Sequence, residues 1–504
     1  EVKKKYSFIP YLNSSLFEQS EEEKKLMFIS QLDSASKIKI YKNTILKDFN
    51  GKKMSGESNP LHYLYDFLNS YSFGSLNNSN IIEDQHKELI SSSVLGLIFE
   101  KINGYKDGSF YTPSYVTTFM SKNILEKIVI DKFNEINGWN CQNLNDLYDK
   151  IQNRSEANDI INNLKICDPA VGSGHYLVSM LNEIIKLKSD LGILEDKNGK
   201  KIRDYKILIE NDDLAIKTID NEYFTYKRPK TVSDNHIVQE TIFLEKQKII
   251  ENCLFGVDIN RNSVNICRLR LWIELLKHTY YTEESGFESL QILPNIDINI
   301  KDGNSLLSKF PLVDNENIQK QVKERIENYK ELVKKYKNTK DKTTKHKIKE
   351  HIINLRKELI LDFNNNSKNV LNLKKLLNGY TNTKEVKKGY VQQFGYDGLS
   401  NKIVNYVDAT SNSLFDIAST MTKSQLDEAK KIKSDMLKTI NKLYLDIEEA
   451  ESNKIYKNSF EWRFEFPEIL DNDGNFLGFD AIIGNPPYIR EPDNKEAFIG
   501  LHDT

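Results

Sequence analysis

An α/β fold built on a parallel sheet is predicted for this 504-residue chain by three features. Short apolar runs alternate with longer amphipathic ones between residues 105 and 310, as strands and crossover helices do. A glycine-rich turn follows one of those runs directly and leads into a helical stretch, the corner at which α/β proteins commonly bind ligands. An apolar run returns near residue 480 after a long helical interval, so the sheet resumes far along the chain.

In chain order, residues 1–104 read as an N-terminal helical region, with apolar residues at three-and-four spacing across 61–68 and again across 95–99. Residues 105–310 hold the sheet, with strands expected at 164–167, 254–257 and 296–300. Between the first two, residues 195–245 carry Thr, Tyr, Ile and Lys among Asn-Asp turns. That is too long for a simple crossover and reads as a small β-rich insertion. Residues 311–455 change character. Ile318, Val322, Ile326, Tyr329, Val333 and Tyr336 step by four or three, as do Ile348, Ile352, Leu355 and Leu359 beyond a polar turn, which predicts an antiparallel helical hairpin. A third helix is expected to carry Leu426, Ala429, Met436, Ile440, Leu443 and Ile447 on one stripe. The Lys-rich faces of the hairpin could follow a phosphate backbone, but acids are interspersed among them, the usual pattern of a solvated face. Residues 456–504 bring back a strand at 479–483 and the loop that follows it.

Composition narrows the function. With 71 basic and 73 acidic residues the formal charge is −2, so any affinity for nucleic acid must come from local patches rather than bulk basicity. At 39% hydrophobic and 10% aromatic the chain is too apolar for a disordered coil, and its length suits two or three domains. No apolar run approaches the roughly 18 residues of a membrane span and no signal peptide opens the chain, so no membrane partner and a cytoplasmic location are expected. Cys141, Cys167, Cys253 and Cys267 stand singly, without the paired spacing of a zinc site or disulfide framework, and are expected as reduced, mostly buried thiols. His175, Tyr176 and Trp272 read as packing residues on helices. Glu22-Glu23-Lys24 has the spacing of a nuclease motif but lies in a charged run with no strand acid before it, and reads as surface.

Three segments carry chemistry. In Asp168-Pro169-Ala170-Val171-Gly172-Ser173-Gly174 the glycines allow a tight turn and close backbone approach to a ligand, and the following helix offers unpaired N–H groups. Leu177 stands where a dinucleotide fingerprint has its third glycine, and the segment alone equally fits a plain helix-entry turn. In Phe255-Gly256-Val257-Asp258-Ile259 an acid ends the next strand, where ribose hydroxyls are commonly bound; a helix N-cap is the other reading. The third segment is Gly484-Asn485-Pro486-Pro487-Tyr488. Its prolines fix the backbone and remove two donors. A ring-conjugated amine is a poor nucleophile because its lone pair is delocalised. Accepting both its protons, on the Asn485 side-chain oxygen and the Pro486 carbonyl, moves the nitrogen toward tetrahedral geometry. Tyr488 offers a face on which a base can stack, worth about 1–3 kcal/mol.

In this order, and with Tyr111, Thr112 and Pro113 ahead of them, the motifs resemble those of adenine-specific DNA methyltransferases of the gamma arrangement. The stretches 94–104 and 460–467 are similar to those of large type IIG restriction-modification and phage-defence methylases. The resemblance implies a Rossmann-like S-adenosylmethionine-dependent methyltransferase sheet, incomplete here, with a helical insertion. It implies that Tyr111, Thr112 and Pro113 hold the methionine end of S-adenosylmethionine, and that Asp168, Pro169, Ala170, Gly172 and Gly174 wrap it. Asp258 and Ile259 would take the ribose and adenine ring, and Asn304, with Asp302 beside it, the cofactor's adenine amine. Asn485, Pro486, Pro487 and Tyr488 would grip an adenine flipped out of double-stranded DNA for methylation at N6, without a metal. The family's later strands and target-recognition region follow this loop, so the chain is expected to be a segment of a longer protein, inactive or very weak alone, completed within the same chain or by a separate subunit. Two other readings are open: methylation of a protein glutamine amide, which uses the same loop, and a catalytically silent DNA-binding or assembly subunit.

Overall fold

The structure, a computed structural model, describes residues 36–47, 52–73, 88–90, 94, 96–98, 112–210, 212–294, 296, 298–308, 320–339, 342–365, 459–471 and 475–487. Within the first hundred residues it places β1 (Ile38–Lys39) and β2 (Glu57–Ser58) as an antiparallel pair. There follow α1 (Pro60–Asn69) and the parallel pair β3 (Tyr71–Phe73) and β4 (Glu88–Ile90). A helix forms across 61–68 as expected, where Asn59 caps it and Pro60 starts it, and Val94 and residues 96–98 are helical in keeping with the spacing across 95–99, while residues 38–39, 57–58, 71–73 and 88–90 are short strands.

Three helices lead into the sheet: α2 (Ser114–Asn137), α3 (Leu144–Lys150) and α4 (Arg154–Asn162). The sheet begins with β5 (Ile166–Asp168), which turns through the glycine segment into α5 (His175–Asp190). An antiparallel hairpin of β6 (Tyr205–Glu210) and β7 (Asp213–Thr218) follows. The expected β-rich insertion is this hairpin and its flanking turns. It ends before residue 245, because α6 (Asp234–Asn252) starts at the Ser233 cap. Next come β8 (Leu254–Asp258), α7 (Arg261–Leu276) and β9 (Ile300–Asp302), and much later β10 (Ala481–Ile482).

The sheet order is β10-β5-β8-β9, all parallel. Strands covered on both faces need apolar residues at successive positions, and β5 and β8 supply them with Ile166, Cys167, Leu254, Phe255 and Val257, all buried. The register pairs Asp168 with Gly256 and Asp258 with Asp302, so the carboxyl ends of the strands come out along one edge. The third strand was expected at 296–300 and lies at 300–302. Ile296 and Ile300 are buried as their alternation requires, but the ladder with β8 opens only where the Gly256 N–H meets the Asn299 carbonyl at 2.9 Å.

On one side, α2 lays the stripe Thr117, Ser121, Leu125, Val129 and Phe133 against α5, with the Thr117 and Ser179 hydroxyls 2.9 Å apart. All four cysteines are free and buried, and His175, Tyr176 and Trp272 are buried too. The predicted hairpin is α8 (Lys320–Asn338) and α9 (Lys342–Asn365). They run antiparallel, since Arg325 pairs with Glu358 at one end and Lys345 lies over the Tyr336 ring at the other. Ile326, Tyr329, Val333 and Leu359 pack on Phe464 of α10 (Trp462–Glu465) and on Leu470, and the Tyr329 hydroxyl donates to the Phe464 carbonyl at 2.6 Å. The hairpin thus braces the segment that leads into β10. The predicted third helix and Glu22-Glu23-Lys24 lie outside the described residues. Among the described residues no helix is long and apolar enough to cross a membrane.

Candidate active site at the carboxyl edge of the sheet

The Asp168 side chain ends β5 and is 1% exposed. One carboxyl oxygen accepts the Ala170 N–H at 3.0 Å, which tightens the turn. Among the described residues no cation pairs with it. Burial, with a smaller push from Asp258, raises this carboxyl to about 8. Gly172 and Gly174 have φ of 52° and 84°, the left-handed region that favours glycine. A Cβ on Gly174 would also stand 2.6 Å from the Cys267 Sγ, so α7 packs directly on this turn.

Asp258 joins the turn to the next strand. One of its oxygens accepts the Gly172 N–H at 2.8 Å and the other the Asn260 N–H at 2.7 Å. The helix cap at this point is Asn260, whose side chain accepts from Asn262, so capping is not the role of Asp258. The Asp258 side chain is half-buried rather than sealed. Beside it Ile259 is 64% exposed, an apolar side chain presented to the open edge.

Next along the edge, Asp302 is exposed, and Gly303 passes so close to Phe460 that a Cβ would lie 2.9 Å from the ring. The Gly303 N–H donates to the Asp258 carbonyl at 2.9 Å, which ties β9 to the end of β8. The Asn304 side-chain oxygen is taken by the Leu306 N–H at 3.1 Å, while its carbonyl accepts from Phe460. Between the two, Asp302 is the residue left facing solvent.

On the other flank, β10 carries Gly484 over Asp168. A Cβ there would lie 2.5 Å from the carboxyl oxygen, so only glycine lets the loop pass. Asn485 follows, half-buried, and its Nδ2 donates to the Thr112 Oγ1 at 3.0 Å across 373 residues of sequence. Pro113 sits at the N-cap of α2, and Pro486 and Pro487 are exposed. The structure therefore brings Thr112, Pro113, Asp168, Gly172, Asp258 and Asn485 along one edge. Tyr111 and Tyr488 lie outside the described residues. Two residues were missed in the sequence. Gly484 was signalled only by standing before Asn485. Arg270 is 1% exposed and holds the turn from α7 by donating to the Ser173 carbonyl at 2.9 Å and hydroxyl at 3.2 Å; its one signal was a charge on an otherwise apolar helix face.

Residues 252–503 match the family described as Eco57I restriction-modification methylase. The chain belongs to that family. The match takes in β8, Asp302, Asn304 and the whole Asn-Pro-Pro-Tyr loop, and begins beyond the Asp168 turn and Thr112. Residues 1–90 match a domain of unknown function (DUF7814). The chain is also 27% identical, over 526 aligned positions and 97% of its length, to a protein of Methanocaldococcus jannaschii whose name makes it a candidate type II restriction enzyme and methyltransferase. The chain spans 35% of that protein. No solved structure matches it.

Proposed function

We propose that this chain carries the cofactor-binding half and the base-gripping loop of a DNA methyltransferase that methylates adenine at N6 with S-adenosylmethionine, on a Rossmann-like sheet. The observation that carries the reading is the Asn485–Thr112 hydrogen bond. Because Nδ2 is engaged, the amide is oriented with its oxygen free to accept from a substrate amine. With the Pro486 carbonyl, in a loop stiffened by two prolines, that makes two acceptors for one exocyclic amine. The bond also sets the acceptor beside Asp168, since the Gly484 backbone lies against that carboxyl.

The residues fit the cofactor in charge and shape. Asp258 is a half-buried acid ending its strand at the open edge, where ribose hydroxyls are commonly bound, the exposed Ile259 offers an apolar surface for a ring, and Asp168 is a buried acid that a cationic methionine end would neutralise. Bound S-adenosylmethionine would supply an activated methyl group, so the protein's share of catalysis is positioning. Asn485 and Pro486 hold the amine; Thr112 keeps Asn485 from rotating. We place the cofactor half within 105–310, the helical insertion at 311–455 and the returning strand and loop at 456–504, with double-stranded DNA as partner. Target recognition is assigned to a region beyond these residues, in the same chain or another subunit.

Incubation of the full-length protein with labelled S-adenosylmethionine and unmodified plasmid, followed by digestion to nucleosides, tests the reading. Label in N6-methyladenine that Asn485→Ala abolishes is the expected result. Label in protein instead would point to glutamine amide methylation, and absence of both cofactor binding and label would leave a scaffold.

A further inference from the structure

Away from the sheet edge, α6 carries His236 and Glu240 four residues apart, on one face of the helix. Facing them is Glu283, the first residue of a 3-10 turn at Glu283–Ser285. One ring nitrogen of His236 and one carboxylate oxygen from each glutamate lie within 4.8 Å of one another. His236 is fully buried, boxed by the rings of Tyr280 and Phe287. Its Nδ1 is 3.1 Å from the Tyr226 hydroxyl, whose oxygen also accepts the Tyr281 N–H at 3.1 Å, while its Nε2 has no hydrogen-bond partner. A buried ring nitrogen without a partner is costly, and the arrangement is that of a histidine ligand whose second nitrogen is fixed by a hydrogen bond.

A cation already stands here. The Lys197 ammonium, reaching in from the turn at 196–199, pairs with Glu283 and lies 3.4 Å from Glu240. Its side chain is 44% exposed and can swing into solvent. From this arrangement the geometry points to a site for a divalent first-row transition ion, zinc in particular, held by His236, Glu240 and Glu283, with Lys197 filling its place when no metal is bound. Three nitrogen and oxygen ligands leave a fourth position for water, and bonds of about 2.0–2.2 Å require the groups to draw in by about an ångström. Glu283, 41% exposed on a one-turn helix, is the group placed to move. Burial lowers the His236 pKa, so the neutral ring that a metal needs is the resting form. The ion would tie α6 to the 281–290 loop. It shares no residue with the edge at Asp168, so it stands whether or not the methyl-transfer reading does.

The test uses full-length protein stripped with chelator, Zn2+ alone as probe, and two readouts, bound zinc by equilibrium dialysis and thermal midpoint. Zinc is expected to bind and raise the midpoint of the unsubstituted protein. Glu283→Gln, an exposed change that should not disturb folding, and His236→Gln each lose one bound ion per chain. Lys197→Ala binds zinc about fivefold tighter or better, because a competing cation is gone, and zinc restores its midpoint. If Glu283→Gln retains the same bound zinc, or if Lys197→Ala is left destabilised by zinc-saturated buffer, the cluster is an ion pair only and the site is refuted.

Discussion

Asp168 and Glu274 are both 1% exposed, yet they are held in opposite ways. Glu274, on α7, lies 2.9 Å from the Lys246 ammonium and 2.6 Å from that of Lys277, which also meets Asp213 at 2.5 Å. Burial alone would raise Glu274, but the two ammonium groups outweigh it and hold the carboxyl well below the usual carboxylate range. Among the described residues Asp168 has only the Ala170 N–H, and burial drives it to about 8. A buried acid that the fold has neutralised serves the fold. One left without a cation among the described residues, at the end of a strand and under the Gly484 turn, is the kind of group we propose to be kept for a ligand.

The comparison breaks first at Glu274. Glu274→Gln leaves Lys246 buried without its carboxylate and Lys277 with Asp213 alone, and denaturant unfolding should show a loss of about 3–5 kcal/mol. Asn485→Ala should leave stability near that of the parent and reduce methyl transfer by about 10²–10³-fold, as loss of an oriented hydrogen-bonding group does. If both variants unfold equally easily, the division between structural and ligand-facing polar groups is wrong.

Asp168 supplies a sharper test, because its sign is opposite to that of Glu274. A folded-state carboxyl raised from 3.8 to about 8 favours the folded protein at low pH, and that advantage is lost as pH rises from about 4 to about 8. Glu274 is depressed, so its contribution is present above its ordinary 4.5 and lost on acidification. Asp168→Asn should accordingly stabilise the ligand-free protein by on the order of 1–3 kcal/mol at pH 8 and have little effect near pH 4. Binding of a cationic cofactor requires the ionised acid, so affinity measured by calorimetry should fall up to about tenfold per pH unit below 8, and Asp168→Asn should flatten that dependence.

Smaller effects complete the series. Thr112→Val removes the acceptor that orients Asn485 and should lower kcat about tenfold while cofactor affinity, read by the same calorimetry, stays put. Lys186→Ala breaks an exposed pair with Asp190 one helical turn away and should change stability by no more than about 0.5 kcal/mol.

Much of the scaffold was legible because its signals are local. Continuous apolar runs marked β5 and β8, the four-three steps from Ile318 to Tyr336 and from Ile348 to Leu359 marked α8 and α9, and the turn glycines marked the entry to α5. The errors arose where tertiary contacts decide. Ile296 is apolar and buried but unpaired, since the Asn299 side chain turns back to donate to the Ile250, Glu251 and Leu254 carbonyls before the ladder starts. The start of α6 was absorbed into the β-rich insertion because the helix is polar on most faces and its buried Lys246 and Glu245 read as solvent residues. The candidate site was legible as separate motifs in order. That Asn485 meets Thr112, or that Asp258 grips Gly172, depends on strand order, which no local pattern states.

The place of β10 beside β5 also sets a clock on synthesis. Lys165 and Asp480, which share a hydrogen bond at the root of that pairing, are 315 residues apart. At about 5–20 residues per second, a ribosome takes roughly 15–60 s to cover that distance. Throughout it the nascent chain presents β5 as an open edge, a template for other strands. The hairpin of α8 and α9 is made within that interval, before its packing partners Phe464 and Leu470 exist. Expression yield should therefore respond more to conditions that protect nascent chains than to changes at the finished surface.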